Sequence, residues 1–114
     1  MIFFQLDTDK KMSDWLRVCG VEELNLNKAN VVAIEGLKVA VFRCADDTFY
    51  AVEDRCPHRG APLSRGVIYQ HNRVACLDHG WGICLATGRV EPPQTGAVRT
   101  FVVKVDNGVV WLKR

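Results

Sequence analysis

The stretches Cys56-Pro-His-Arg-Gly-Ala-Pro-Leu-Ser-Arg-Gly66 and Cys76-Leu-Asp-His-Gly-Trp-Gly-Ile-Cys-Leu-Ala-Thr-Gly88 decide how this chain is read. Each opens with one cysteine and one histidine, Cys56 with His58 and Cys76 with His79, and each pair is followed at once by glycine-containing backbone. Residues two apart do not share a helix face, so a Cys-x-His pair suits a tight loop whose side chains point to one centre. Two such loops on neighbouring hairpins can grip a metal centre from two sides, with glycine letting the backbone come close and offer N–H donors. Zinc accepts two thiolates and two imidazoles, but its sites commonly pair like ligands, Cys with Cys and His with His. Here each clamp mixes the two, as a [2Fe–2S] centre with two thiolates on one iron and two imidazoles on the other requires. The plain alternative, core cysteines and surface histidines, needs two unrelated pairs to fall beside glycine-rich turns.

Working outward, residues 54–96 hold six of the nine glycines, all four prolines and all three histidines. Only short β-type runs interrupt them, at Val67–Gln70, Arg73–Leu77 and Gly82–Leu85. A loop-rich stretch of this length inside a domain is organised around something other than an apolar core. On either side the pattern is strand and turn. Ala29–Ile34 and Lys38–Cys44 are rich in β-branched residues and read as a hairpin about Glu35-Gly-Leu37. Ala45–Thr48 turns the chain into Phe49–Glu53. Val98–Val105 and Val109–Leu112 flank Asp106-Asn-Gly108, whose Asn-Gly step suits a tight hairpin. Val21–Leu24 is expected to form a single helical turn. The expected fold class is therefore all-β.

Length and composition limit the alternatives. A chain of 114 residues makes one domain able to bury its own core. With 48% hydrophobic and 25% charged residues it is neither disordered nor a coiled coil. The longest stretch without a charge is the ten residues His79–Gly88, far short of a membrane span. The first residues lack the pattern of a secretory signal. A net charge of +2 gives no field that argues for nucleic acid, and five cysteines is an odd number for a disulfide framework. A cytoplasmic protein with reduced or metal-bound thiols is expected, with no nucleic-acid or membrane partner. Met12-Ser-Asp-Trp15 resembles a translation start, so residues 1–11 are expected to be an extension and 12–114 the domain.

The two loop stretches resemble the cluster-binding loops of Rieske [2Fe–2S] proteins, which follow Cys-x-His, some 15–20 residues, then Cys-x₂-His. The resemblance implies stacked antiparallel sheets, with a cluster-binding subdomain at 54–96 inserted into a base formed by 12–53 and 97–114. It implies one [2Fe–2S] cluster held by Cys56 and Cys76 on the inner iron and His58 and His79 on the outer, with the imidazole edges as the electron exit. Ala61 and Asp78 stand where high-potential members carry a disulfide, and Trp81 and Ile83 where those members carry Ser and Tyr hydroxyls, which implies a low-potential carrier. Within the family, Ser13–Cys19, Asp54–Gly60, His79–Trp81, Leu85–Arg89 and Val98–Thr100 resemble the small subunit of assimilatory NAD(P)H nitrite reductase. That implies a large partner subunit carrying flavin and sirohaem. The alternative is a free ferredoxin between a reductase and a ring-hydroxylating oxygenase.

No acid–base pair or nucleotide-binding glycine loop stands in the sequence, so no catalytic residue of its own is expected. Cys19, Cys44 and Cys84 are expected to be buried structural thiols. His71 is expected at an exposed turn, and Trp15 and Trp111 in packing. Trp81 is expected to shield the cluster, and Arg55, Arg59 and Arg65 to form a solvated face.

Overall fold

A computed structural model describes residues 14–114; the expected extension at 1–11 lies outside the described residues. The described chain is built from strands with three single 3-10 turns. The strands are β1 (Trp15–Gly20), β2 (Lys28–Ile34), β3 (Leu37–Cys44), β4 (Thr48–Glu53), β5 (Val67–Tyr69), β6 (Arg73–Ala75), β7 (Gly82–Cys84), β8 (Thr100–Phe101), β9 (Val103–Asp106) and β10 (Val109–Lys113). They form three sheets, ordered β1-β10-β9, β2-β3-β4-β8 and β5-β6-β7. Every paired strand is antiparallel, so the fold is all-β as expected.

The hairpins form where the turn chemistry placed them. Ile34 pairs with Leu37, leaving Glu35-Gly36 as a two-residue turn, and Asp106 pairs with Val109 about Asn107-Gly108. Both residues of each turn have positive φ, which matches the twist of the strands they join. Val21–Glu23 makes the expected single turn, and the Glu23 carboxylate accepts the Gly20 N–H at 2.6 Å. Arg43 holds that turn to β3 by donating to the Val21 and Leu24 carbonyls at 3.2 and 2.8 Å, while it pairs with Asp47.

One expected strand divides. Residues 98–105 read as continuous, but β8 pairs with β4 and β9 pairs with β10, so the chain changes sheet at Val102. Val102 is 60% exposed, and its carbonyl accepts the Lys113 N–H at 2.9 Å. Alternating apolar residues cannot register such a handover, because both halves keep period two.

The apolar residues of the middle sheet face two cores. Val39, Val41 and Ala51 pack with Cys19, Leu24, Ile34, Val110 and Leu112. Ala40, Phe42, Cys44 and Val52 pack with Leu63, Val74, Ile83, Leu85, Cys56 and Cys76. A strand covered on both faces reads as a continuous apolar run, which explains Val39-Ala-Val-Phe42. Cys19 and Cys44 are buried as expected, and burial pushes the Cys44 thiol up to about 11. Trp15 and Trp111 are only half-buried; Lys104 Nζ stands 4.1 Å from the Trp15 ring centroid, a cation–π contact at the surface rather than core packing. Among the described residues no helix is long and apolar enough to cross a membrane.

Two glycines mark close approaches. A Cβ at Gly66 would stand 2.5 Å from the Ala75 carbonyl oxygen and 2.7 Å from Val74 Cγ2, whereas one at Gly82 would strike the Tyr69 hydroxyl. Backbone cannot yield as a phenol can. Gly66→Ala is expected to cost about 1–3 kcal/mol of stability, as overpacking does. Gly82→Ala should cost less, and Tyr69→Phe should relieve part of it. Thermal unfolding of the two single variants and of the Gly82→Ala/Tyr69→Phe pair measures both effects.

Candidate metal centre

The first loop leaves β4 and the second leaves β6, and the backbone closes them alike. Cys56 N–H donates to the Ala61 carbonyl at 2.8 Å and Gly60 N–H to the Cys56 carbonyl at 2.7 Å. Cys76 N–H donates to the Trp81 carbonyl at 2.9 Å and Gly80 N–H to the Cys76 carbonyl at 2.8 Å. Gly60 and Gly80 both stand in the left-handed region, with φ of 79° and 71°, where a side chain would be strained. Each closed loop turns its first backbone amides toward its own sulfur. Asp78 N–H donates to Cys76 Sγ at 3.4 Å, and the His58 and Arg59 amides favour the ionised form of the Cys56 sulfur.

The structure brings the four expected residues together as two pairs, one of cysteines and one of histidines. Cys56 and Cys76 are each 2% exposed and their thiols are neighbours. Burial pushes the Cys56 thiol up and the Cys76 sulfur adds to that, while the His58 and Arg59 amides pull it down. His58 is half-buried and His79 exposed, with ring centroids 4.9 Å apart at an interplanar angle of 68°. Sulfurs therefore line the inside and imidazoles the outside. Among the described residues no three His, Cys, Asp or Glu side chains gather around a point suited to one metal ion. Two thiols paired across the loops and two imidazoles paired across them would suit a two-iron centre with split ligation.

The neighbours of the site are placed as follows. Trp81 stacks on His58 from the opposite loop, with centroids 4.3 Å apart and an angle of 17°. His71 is exposed at the turn between β5 and β6, as expected, and Arg55, Arg59 and Arg65 are exposed. Asp54 went unnoticed in the sequence. Its carboxylate accepts both the Ser64 N–H at 2.6 Å and the Ser64 hydroxyl at 2.8 Å, fixing the turn Leu63–Arg65 beside the first loop.

Cys84 departs from its expected burial and is only half-buried. It begins a third loop of the same kind: Cys84 N–H donates to the Arg89 carbonyl at 2.9 Å, Gly88 N–H donates to the Cys84 carbonyl at 2.7 Å, and Gly88 has φ 77°. Burial opposes ionisation of its thiol, but the Thr87 hydroxyl, the Thr87 and Ala86 amides and the Arg73 charge outweigh it and hold the thiol below the usual range. Cysteine four residues before glycine, recurring at 56, 76 and 84, was the available signal. With Thr87 where the second loop has His79, this loop lacks the imidazole of the other two.

Comparison with known proteins agrees with this geometry. The profile of the Rieske [2Fe-2S] domain matches residues 14–102. The 3-phenylpropionate/cinnamic acid dioxygenase ferredoxin subunit of Photorhabdus laumondii is 36% identical over 98 residues, 85% of this chain and 91% of that one. The 4beta-methylsterol monooxygenase of Methylococcus capsulatus is 42% identical over 88 residues, 68% of this chain but only 23% of that protein. The chain likewise spans under a fifth of the length of several other curated relatives. Among solved structures, a complex of reduced oxygenase and oxidized ferredoxin in carbazole 1,9a-dioxygenase superposes with TM-score 0.79 at 32% identity, covering 88% of this chain and 93% of that one. A nitrite reductase NADPH (small subunit)-like oxidoreductase superposes with TM-score 0.79 at 28% identity, covering 88% and 98%. Paired thiols beneath paired imidazoles, on two loops within a domain that matches across most of its length, lead to one conclusion: the chain belongs to the Rieske [2Fe-2S] family and carries one Rieske [2Fe-2S] cluster.

Proposed function

We propose that Cys56 and Cys76 hold the inner iron and His58 and His79 the outer, and that the chain moves single electrons as the small subunit of a cytoplasmic NAD(P)H-dependent nitrite reductase. The observation that carries the electron-transfer role is the pairing of buried sulfurs beneath an exposed imidazole edge. When bound, the cluster supplies one-electron chemistry; the protein supplies its position. Buried sulfurs anchor the centre from below, His79 opens it to solvent, and the Trp81 ring covers His58. Residues 54–96 form the cluster-binding unit, and 12–53 with 97–114 form its base. Flavin, NAD(P)H and sirohaem belong to a larger partner subunit in this reading.

The subunit role draws support from the likeness to the nitrite reductase small-subunit-like structure, of which this chain covers 98%, and from Val98-Arg-Thr100 leading into the last hairpin. A second reading, a free ferredoxin that supplies an oxygenase, is favoured by the 36% identity to a dioxygenase ferredoxin subunit. Affinity purification of the tagged chain from its source cells separates them. A co-purifying sirohaem flavoprotein, with NAD(P)H-driven nitrite reduction lost on depletion of the chain, is the expected result. Recovery of an oxygenase, with nitrite reduction unchanged, would select the ferredoxin.

The purified protein is expected to be red-brown with two iron and two sulfide per chain, and Cys56→Ser or Cys76→Ser should lose both, measured by iron and acid-labile sulfide analysis. Stoichiometric zinc in protein made under iron-replete anaerobic conditions would overturn the ligand assignment.

With neutral imidazoles the oxidised centre sums to zero charge and reduction creates one negative charge, so the potential lies above the roughly −400 mV of all-cysteine clusters. Trp81 and Ile83 carry no hydroxyl to stabilise the reduced form. The midpoint is therefore expected at the low end of the Rieske range, about −150 to −50 mV. It should be nearly flat across neutral pH. Protein-film voltammetry checks both; a midpoint above about +100 mV, or a proton-coupled slope at pH 7, would show another control.

A further inference from the structure

Charge is distributed unevenly along this chain. Residues 54–99 carry six cations against three carboxylates, and every one of the six is arginine. The rest of the described chain, 14–53 and 100–114, carries seven cations against eight carboxylates. A molecule of small net charge is thus positive around its metal loops and slightly negative elsewhere.

Of the three carboxylates in the positive part, Glu91 is paired with Arg73 at 3.1 Å, Asp54 is turned to the Ser64 amide and hydroxyl, and Asp78 is exposed. Among the described residues no carboxylate lies within ion-pair distance of Arg55, Arg59 or Arg65. Arg55 and Arg59 belong to the first loop itself, and Arg55 Nε lies 3.6 Å from where a Cβ of Gly60 would stand. Arg65 is carried on the turn that Asp54 anchors beside that loop. In the two loops themselves Pro57 is exposed and Leu77 is 65% exposed, two residues before the exposed His79. Specific protein interfaces combine apolar contacts with a polar, charged rim. Arginine presents a planar fork that matches a carboxylate.

We propose that the metal-loop end is a docking face for a redox partner whose electron-exchange site is rimmed by carboxylates, with Arg55 and Arg59 as the principal contacts and Arg65 at the shoulder. This rests on the electron-transfer reading above and adds the charge of the partner. Leu77 and Pro57 make the dry contact that brings the partner to the His79 edge. The local field steers the encounter more than it holds the complex, so its mark is on the association rate and its salt dependence.

The test uses the holoprotein, reduced and then oxidised in a stopped-flow instrument by ferricyanide or by hexaamminecobalt(III), with recovery of the visible bands as readout. For the unaltered protein the ferricyanide rate should fall and the cobalt rate rise as salt increases, since screening removes both attraction and repulsion. Arg55→Gln/Arg59→Gln should lower the low-salt ferricyanide rate about three-fold or more, well within the range of electrostatic steering. Lys104→Gln/Lys113→Gln removes the same net charge from the sheet β1-β10-β9, away from the metal loops, and should leave the rate nearly unchanged. Poly-L-glutamate should slow oxidation of the unaltered protein and of the lysine variant, but not of the arginine variant. Equal effects of the two double variants, a salt slope of the opposite sign, or no protection by poly-L-glutamate would overturn the proposal. The visible spectrum taken before reduction tests the cluster reading separately: a colourless protein fails that reading, while a coloured one with the wrong salt slope fails only this proposal.

Discussion

Val39 and Val41 point into one core while Ala40, Phe42 and Cys44 point into the other, so β3 is the wall that both apolar clusters share. This constraint reaches most of the molecule. The sheet β1-β10-β9 has its apolar side against Val39, Val41 and Ala51, and the small sheet β5-β6-β7 joins Ala40 and Phe42 through Val74 and Ile83. Cys56 and Cys76 belong to the second of these clusters, so the floor of the metal centre is part of the domain core and not an appended loop. A polar or much larger residue on either face of β3 would be felt in a core on that side, because close-packed interiors transmit small changes in volume.

The candidate donor set was legible because it rests on chemistry and not on packing. Ligand spacing is a local property, and Cys56, His58, Cys76 and His79 stood out before any strand was placed. The hairpins at Glu35-Gly36 and Asn107-Gly108 were legible for a similar reason, since tight turns leave a residue signature. What escaped were features that depend on distant partners. The sheet change at Val102 is decided by β4 and β10 competing for one run of residues, and the clasp of Asp54 on Ser64 joins positions ten apart through a fold the sequence does not spell out. Cys84 was misjudged because apolar neighbours suggest burial, while its loop turns the sulfur toward amides and Arg73 near the surface.

Around the donors the protein separates two demands. The sulfurs need a dry floor with donors nearby; Cys56 and Cys76 are buried, and the Asp78 amide donates to Cys76 Sγ. The imidazoles need access, which is met by leaving His79 exposed while Trp81 covers His58. The two histidines are therefore unequal: one is packed between loops and the other faces outward. That inequality gives electron exchange a preferred side, that of His79.

The loop at Cys84 repeats the closure of the other two without an imidazole. Its shape must therefore come from the cysteine-to-glycine hydrogen bonds and the left-handed glycine alone, and the same bonds operate at 56 and 76. The entropy of ordering those loops is then largely met by the chain itself during folding, not drawn from the free energy of metal capture. A receptor so preorganised needs little rearrangement of its backbone to take up a cluster.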